Sequence, residues 1–185
     1  MFKKILIATT LIASTSVFAQ SSVTITGGNQ AATTGVDSSI INVSAKTRLF
    51  GKTDADVGIL TTRAETTDKL TNRYELGLTQ NMPIDGTVLA FSLRGAVGQK
   101  AVSTSQPFNY YSVEPAVTAK VGDFSAKVGY RWRDAFNDVN ADKSETTRFA
   151  LSYDVTKKDK IGVGYDIQRG DGANKSTTIA YTRSF

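Results

Sequence analysis

The chain has 185 residues, a formal net charge of +5, no histidine and no cysteine. Because histidine is absent, the sequence excludes triads with an imidazole base and metal sites built on imidazole ligands. Because cysteine is absent, it also excludes disulfides and thiol chemistry. We therefore expect one domain that is not an enzyme, with no cofactor and no metal. The modest basic excess does not favour nucleic-acid binding.

The N-terminal residues MFKKILIATTLIASTSVFAQ predict a secretory signal peptide. Lys3 and Lys4 precede an apolar segment from Ile5 to about Ala13, and Ala19 ends the leader at the predicted cleavage site. The alternative is an uncleaved membrane anchor, but the apolar segment is shorter than the roughly 20 residues that a spanning helix needs. We therefore divide the chain into a signal peptide at 1–19 and a barrel domain at 20–185.

From residue 20 onward the sequence is typical of an all-β protein. Segments such as VLAFSLRGAV and KIGVGYDIQ alternate large apolar residues with small or polar ones, and turn residues separate them. Ten strands are predicted, at residues 20–27, 38–50, 56–66, 69–80, 87–99, 108–121, 124–134, 146–156, 160–169 and 176–185. Eight strands would result if residues 20–35 stayed unpaired and two central segments merged, and twelve strands are the other alternative.

The connections and the apolar faces favour a transmembrane, antiparallel, up-and-down β-barrel in an outer membrane. Short turns, such as GD and KKD, follow the even strands, and longer polar segments, such as GNQAATTGVD and RGDGANK, mostly follow the odd strands. Aromatic residues are expected near the membrane interface, as at Tyr111, Tyr130, Trp132 and Tyr165. A soluble β-sandwich is the alternative. The predicted partner of the apolar faces is outer-membrane lipid.

The last nine residues, TTIAYTRSF, place Tyr181 and Phe185 on one face of the closing strand. This ending resembles the C-terminal signal of bacterial outer-membrane barrels. The resemblance implies that the barrel assembly machinery recognises Tyr181 and Phe185. Arg183 departs from the pattern, which usually has an aromatic or aliphatic residue there, and we expect its side chain to extend to the lipid headgroups.

If the apolar faces contact lipid, the opposite positions line a lumen with more bases than acids. The bases predicted there are Lys46, Arg48, Arg63, Arg73, Arg94, Lys120, Lys127, Arg131, Arg133 and Arg148. The acids predicted there are Glu65, Glu75, Glu114, Asp154 and Asp166. Rings of Arg and Lys favour the passage of anions, so the predicted solutes are small anions.

Three charge relations are predicted from the turns. A tight turn at Gly122-Asp123 places Glu114 opposite Arg131, where the two charges neutralise each other. A pairing of Val155 with Ile161 places Asp166 diagonal to Arg148. A turn at NMPIDG, with Gln80 facing Thr87, places Arg73 opposite Arg94, an unfavourable pair unless an acid or an anion lies between them.

The segment DAFNDVNAD contains three acidic residues, Asp134, Asp138 and Asp142. Weak calcium binding is the alternative for such a segment, but the spacing lacks the ligand series of a calcium loop and its closing Glu. We therefore expect a solvated loop.

The segments VGYRWRD, TTRFALSYDV and TTIAYTRSF resemble small, Arg-lined porins of the oligogalacturonate-specific type. The resemblance implies that Arg131, Arg133 and Arg148 guide an acidic oligosaccharide. Those porins are longer and have twelve strands, whereas ten are predicted here. The sequence thus predicts a small outer-membrane porin that favours anions or acidic small solutes. The alternative is a non-conducting structural or adhesive barrel that acts through its surface loops.

Overall fold

The computed structural model describes residues 20–33, 35–67, 69–137 and 142–185, so the predicted signal peptide lies outside the described residues. The chain forms one closed barrel of ten antiparallel strands in sequence order, in which β1 pairs with β10. This confirms the predicted fold and strand number. The strands are β1 Ser21–Ala32, β2 Ser38–Phe50, β3 Thr53–Ala64, β4 Leu70–Pro83, β5 Leu89–Val102, β6 Phe108–Val121, β7 Phe124–Ala135, β8 Ser144–Asp154, β9 Asp159–Gly170 and β10 Asn174–Ser184.

Each strand places apolar side chains outside and polar or small side chains inside. In β9, Ile161, Val163 and Tyr165 are exposed on the outer surface, whereas Gly162 and Gly164 face the interior. This period of two follows from the alternating direction of side chains along a strand. The exposed apolar surface extends around the whole barrel, which is the arrangement that contact with lipid requires. No helix in the described part of the chain is long and apolar enough to cross a membrane.

The two ends of the barrel differ. The turn end carries both ends of the described barrel and the connections 51–52, 84–88, 122–123 and 155–158, and the loop end carries the connections 33–37, 65–69, 103–107, 136–143 and 171–173. The loop-end connections at 33–37, 103–107 and 171–173 are shorter than predicted because β1, β5 and β9 extend further along the chain, to Ala32, Val102 and Gly170, whereas the connection at 65–69 is longer than predicted. Segments that were expected to be loops therefore belong to the wall.

Aromatic side chains pack together on the outer face near both ends. Near the loop end, the Tyr111 ring lies 5.2 Å from the rings of Trp132 and Phe136, and near the turn end Phe124 lies 4.8 Å from Tyr153. These positions fit the interfacial belts of a membrane barrel. The exceptions are Tyr130 and Tyr165, which were expected near strand ends but lie close to the middle of β7 and β9.

The C-terminal strand closes the barrel against β1. The Phe185 amide donates a hydrogen bond to the Ser21 carbonyl oxygen (2.9 Å), and the Tyr181 and Phe185 side chains are exposed on the outer face. Arg183 shares this face, where its Nη1 donates to Asp159 (2.9 Å), which also accepts a hydrogen bond from the Tyr181 hydroxyl (2.6 Å). Arg183, which departs from the usual C-terminal pattern, is therefore neutralised by Asp159 on the barrel wall.

Candidate functional site: the barrel lumen

The interior is rich in ionisable side chains from every strand between β2 and β9. Most of the bases and acids predicted to face inward do so. The inward bases are Lys46, Arg48, Arg73, Arg94, Lys100, Lys120, Lys127, Arg131, Arg133, Arg148 and Lys160, and the acids are Asp54, Asp56, Glu75, Glu114, Asp142, Asp154 and Asp166. Bases outnumber acids in this set. Among the described residues, no group of three or more acids, histidines or cysteines is arranged to hold a metal ion.

Arg63 does not face the lumen, contrary to the sequence interpretation. It pairs with Ser39 on β2 and with Leu70 on β4, and it shares the outer face of β3 with Val57. The sequence interpretation assigned the wrong face of β3 to the lumen, because a shift of one residue along a strand moves every side chain to the other face. The inward face of β3 instead carries Asp54 and Asp56, two acids that sequence reasoning missed.

Arg94 is the centre of an ion-pair cluster in the middle of the barrel. Its Nε donates to Asp56 (3.0 Å) and its Nη2 contacts Glu75 (2.7 Å), whose other oxygen accepts a hydrogen bond from Tyr110 (3.0 Å). Gly77 makes room for this guanidinium, since a Cβ there would lie 2.5 Å from Arg94 Nη2. The cluster holds β3, β4, β5 and β6 together from the inside.

The predicted pairing of Arg73 with Arg94 is wrong. Arg94 lies opposite Thr79, and Arg73 lies opposite Lys100. The register shifts because β4 continues to Pro83, with Asn81 held in the strand by its side-chain hydrogen bond to Asp54 (2.8 Å). The turn is then formed by residues 84–88, where Gly86 has the positive φ of 74° that such a turn needs.

Glu114 and Arg148 form the second central cluster. Glu114 contacts Lys127 (3.1 Å) through one oxygen and Arg148 (2.8 Å) through the other, and Arg148 also contacts Asp166 (3.2 Å). Arg148 lies directly opposite Asp166 rather than diagonal to it, because Tyr153, not Val155, pairs with Ile161. The predicted attraction between Arg148 and Asp166 is present, with a different register.

The prediction that Glu114 forms an ion pair with Arg131 is wrong, because Glu114 contacts two other bases. The register of β6 and β7 places the two residues opposite each other, as expected, since Ser112 pairs with Arg133 and Ala116 with Gly129. However, both Glu114 oxygens are taken by Lys127 and Arg148. Cross-strand register alone does not decide which of several nearby cations a carboxylate contacts.

A third cluster lies at the loop end and contains Asp142, which the sequence analysis assigned to a solvated loop. Asp142 is fully buried, with a relative exposure of 0%. It contacts Lys100 (2.6 Å) and Arg133 (3.0 Å), and the Arg133 guanidinium lies over the Tyr110 ring, 5.5 Å from its centroid. The Asp142 carboxylate therefore attaches the end of the β7–β8 connection to the barrel interior.

The remaining ion pairs lie at the turn end. Asp54 contacts Lys46 (2.7 Å) and Arg48, and it is only 2% exposed. Across the barrel, Asp154 contacts Lys120 (2.7 Å) and Lys160 (3.2 Å). Each inward acid is thus held by at least one base, and several bases share an acid.

Arg73 and Arg131 differ from the other inward bases because they have no ion-pair partner among the residues that the structure describes. The Nε atoms of both guanidinium groups are buried without a hydrogen-bond acceptor. Arginine remains charged under all ordinary conditions, so the surplus positive charge of the central lumen is concentrated at these two residues.

The space left between the side chains forms two chambers, of about 430 Å³ and about 310 Å³. Arg73 and Arg131 line both chambers, as do Glu114, Lys127 and Arg148. The larger chamber extends towards the turn end, to Ser22 and Lys46, and the smaller follows the wall formed by β9, β10 and β1. The two chambers therefore meet at the unpaired arginines.

The wall of the smaller chamber differs from the rest of the lumen. Its lining follows β9 and β10 along their length, and most of these side chains are small and neutral: Gly162, Gly164, Gln168, Asn174, Ser176, Thr178, Ala180 and Thr182. Most members of the ion-pair clusters lie on β2 to β8, and β9 contributes only Lys160 and Asp166 to them. Free volume remains along β9 and β10 because these residues are too short to reach across the lumen.

Comparison with known proteins finds similarity in the fold only. No protein-family model matches the chain, and no curated protein matches it. Among solved structures, the NanC porin aligns with 87% of this chain and 98% of its own, at 16% identity and a TM-score of 0.50. The KdgM porin in complex with disordered oligogalacturonate covers 89% of this chain and 99% of its own, at 13% identity and a TM-score of 0.51.

A third similar structure is the β domain of the Bordetella autotransporter BrkA. It covers 89% of this chain and 99% of its own, at 8% identity and a TM-score of 0.56. The chain therefore has the fold of outer-membrane β-barrel proteins, and this fold is shared by porins and by the barrel of an autotransporter.

Proposed function

We propose that the chain is a small outer-membrane channel that passes small solutes and favours anions. The observation that carries this proposal is the free volume along β9 and β10, faced by the surplus charge of Arg73 and Arg131. A narrow, water-filled lumen with fixed positive charge attracts anions, and charges inside it are poorly screened by salt. The fold shared with the NanC and KdgM porins supports the same class of function.

The proposed solute pathway through the smaller chamber is tested by placing a large side chain on β10, on the neutral wall of that chamber. Thr178 lines the smaller chamber, whereas its neighbour Thr177 faces outward. We expect the parent barrel to conduct in a planar bilayer, with a reversal potential in a KCl gradient that indicates anion preference. Thr178→Trp should reduce the conductance several-fold, because an indole occupies much of the chamber. Thr177→Trp, which places the same ring in lipid, should conduct like the parent.

Two results would contradict this proposal. A folded parent protein without conductance above the bilayer background would refute the channel. Equal conductance in Thr178→Trp and Thr177→Trp would show that solutes do not pass along β9 and β10.

The proposal includes an outer-membrane location, contact with outer-membrane lipid and recognition of the C-terminus by the barrel assembly machinery. Tyr181 and Phe185 support it because both rings are exposed on the outer face of the closing strand. Deleting Phe185 should lower the amount of folded barrel in the outer membrane, while export across the inner membrane continues. Fractionation with a gel-mobility assay of boiled and unboiled samples measures this. Unchanged barrel levels would refute a role for Phe185 in assembly.

A non-conducting structural or adhesive barrel is the second candidate. The observation that favours it is the cluster at the loop end, where Tyr110 and Arg133 are each 1% exposed and Asp142 is fully buried. These side chains fill the lumen on the side of β5 to β8. The bilayer measurement distinguishes the two candidates. A structural or adhesive barrel should show no conductance above background, either in the parent or in Thr178→Trp.

A further inference from the structure

We propose that Arg73 and Arg131, together with the Thr146 hydroxyl, form a discrete binding site for one small oxyanion where the two chambers meet. The ligand class is a carboxylate or phosphate group carried by a small solute. This site adds a ligand class to the proposed function. It rests on that function only because the ligand must enter the lumen from outside the membrane. Binding itself does not require that the barrel conduct.

The carboxylates near these two arginines are all held by other partners. The acids whose charges act on Arg73 and Arg131 are Asp142, Glu75 and Glu114. Asp142 is held by Lys100 and Arg133, Glu75 by Arg94 and Tyr110, and Glu114 by Lys127 and Arg148. The positive charge of Arg133 also acts on both residues. An external anion would relieve this repulsion.

Hydrogen-bond donors without acceptors are concentrated around Arg131 and Arg133. Thr146 lies directly opposite Arg131 on β8, and Ser112 and Ser144 flank Arg133 on either side. The hydroxyl oxygens of these three residues are buried without a partner, as are the Nε atoms of Arg73 and Arg131. A buried polar group without a partner costs about 1–3 kcal/mol. A ligand that shifts the side chains covering these atoms would supply the missing acceptors and offset this cost.

The shape of the donor groups indicates which anion fits the site. A guanidinium group presents a planar fork of donors that matches the two oxygens of a carboxylate or phosphate. Arg73, Arg131 and Thr146 all line the smaller chamber, which has a volume of about 310 Å³. Pockets for small ligands begin at about this size. An oxyanion therefore fits the donors better than chloride, which accepts hydrogen bonds without a preferred planar geometry.

Arg73 and Arg131 are not continued by further unpaired cations along the part of the lumen that the structure describes. The bases towards the turn end are each held by an acid, as Lys46 and Arg48 are by Asp54 and as Lys120 and Lys160 are by Asp154. No continuous track of unpaired cations extends along the described lumen. Lengthening an acidic ligand should therefore add little to its affinity, in contrast to what a track for an acidic oligosaccharide would show.

The test is titration calorimetry on the full barrel, folded in detergent, at constant ionic strength set with chloride. Inorganic phosphate and galacturonate are the two probes, and they show whether phosphate or carboxylate is preferred. We expect saturable binding of one equivalent of at least one probe. Arg73→Gln with Arg131→Gln should abolish it, and Thr146→Val should weaken it about tenfold, as expected for one hydrogen bond to a charged ligand. Lys120→Gln removes an inward cation near the turn end that lines neither chamber, and it should bind like the parent.

Arg73→Lys provides a variant in case the double substitution fails to fold, because it keeps the charge and removes the fork. Weaker binding of phosphate or galacturonate by this variant supports the site. The inference is overturned if neither probe binds the parent saturably, if binding survives the double substitution, or if trigalacturonate binds more than tenfold more tightly than galacturonate. If the barrel binds either probe but does not conduct, only the proposed channel function is refuted. If the barrel conducts but binds neither probe saturably, only the proposed binding site is refuted.

Discussion

Replacing Arg94 by Gln should destabilise the barrel by about 3–5 kcal/mol, the usual cost of removing one partner from a buried ion pair. Arg94 is the only base in contact with Asp56 and Glu75 among the described residues, and all three side chains are less than one fifth exposed. The substitution leaves two carboxylates in the lumen without their ion-pair partner. Urea unfolding in detergent or lipid measures the loss. If the barrel conducts, its selectivity should also shift towards cations.

Gly77→Ala tests how far the stability of the barrel depends on the position of the Arg94 guanidinium, because it changes that position and not the charge. The new Cβ would lie 2.5 Å from Arg94 Nη2, so the guanidinium must move although every charge is kept. Overpacking of this kind costs about 1–3 kcal/mol. Gly95→Ala is the matched control, because a Cβ at Gly95 meets no atom within 4 Å. Equal stability of the two alanine variants would show that the Arg94 cluster does not hold the strands together.

The barrel itself could be predicted from the sequence because its signal is local. Alternation along each strand, turn glycines and the aromatic ending of β10 are all properties of short segments. The strand number was predicted correctly for the same reason, since each of the ten segments carries its own apolar face. Residues such as Arg131 and Arg148 could be placed inside the barrel by parity alone.

The ion-pair network could not be predicted because it depends on register and on contacts between distant strands. The partners of Asp54 illustrate the point, since Asn81 holds β4 in a longer strand only when β3 lies beside it. That contact moves the following turn and changes the residues opposite Arg73 and Arg94. Turn composition alone did not reveal it, because Asn and Pro in NMPIDG are also typical of turns.

Asp142 was misjudged for a related reason. A segment rich in Asp and Asn is usually solvated, and nothing local in DAFNDVNAD marks one of its acids as buried. Its partner Lys100 lies 42 residues away in sequence, on β5, and Lys100 itself was not assigned to the lumen. The pair is found only when β5, β7 and the start of β8 are brought together around the loop end.

Asp142→Asn should therefore change both the stability and the conductance of the barrel. It leaves the charges of Lys100 and Arg133 in the interior without their carboxylate, which should cost about 3 kcal/mol or more. Because Asp142 attaches the end of the β7–β8 connection to Lys100 and Arg133, this end should move out of the lumen when the ion pairs are lost. If the barrel conducts, we expect higher conductance and a stronger preference for anions, measured in a planar bilayer with a KCl gradient.

Asp134→Asn is the matched control for this last prediction. Asp134 belongs to the same acidic segment, but it lies on β7, where its carboxylate accepts a hydrogen bond from the Ala135 amide. Removing its charge should leave conductance and selectivity unchanged, because no inward cation loses its partner. If Asp142→Asn and Asp134→Asn behave alike in both stability and selectivity, the buried carboxylate neither secures the loop end nor offsets the positive charge of the lumen. A rise in conductance confined to Asp142→Asn would instead show that this one ion-pair cluster restricts the loop-end mouth.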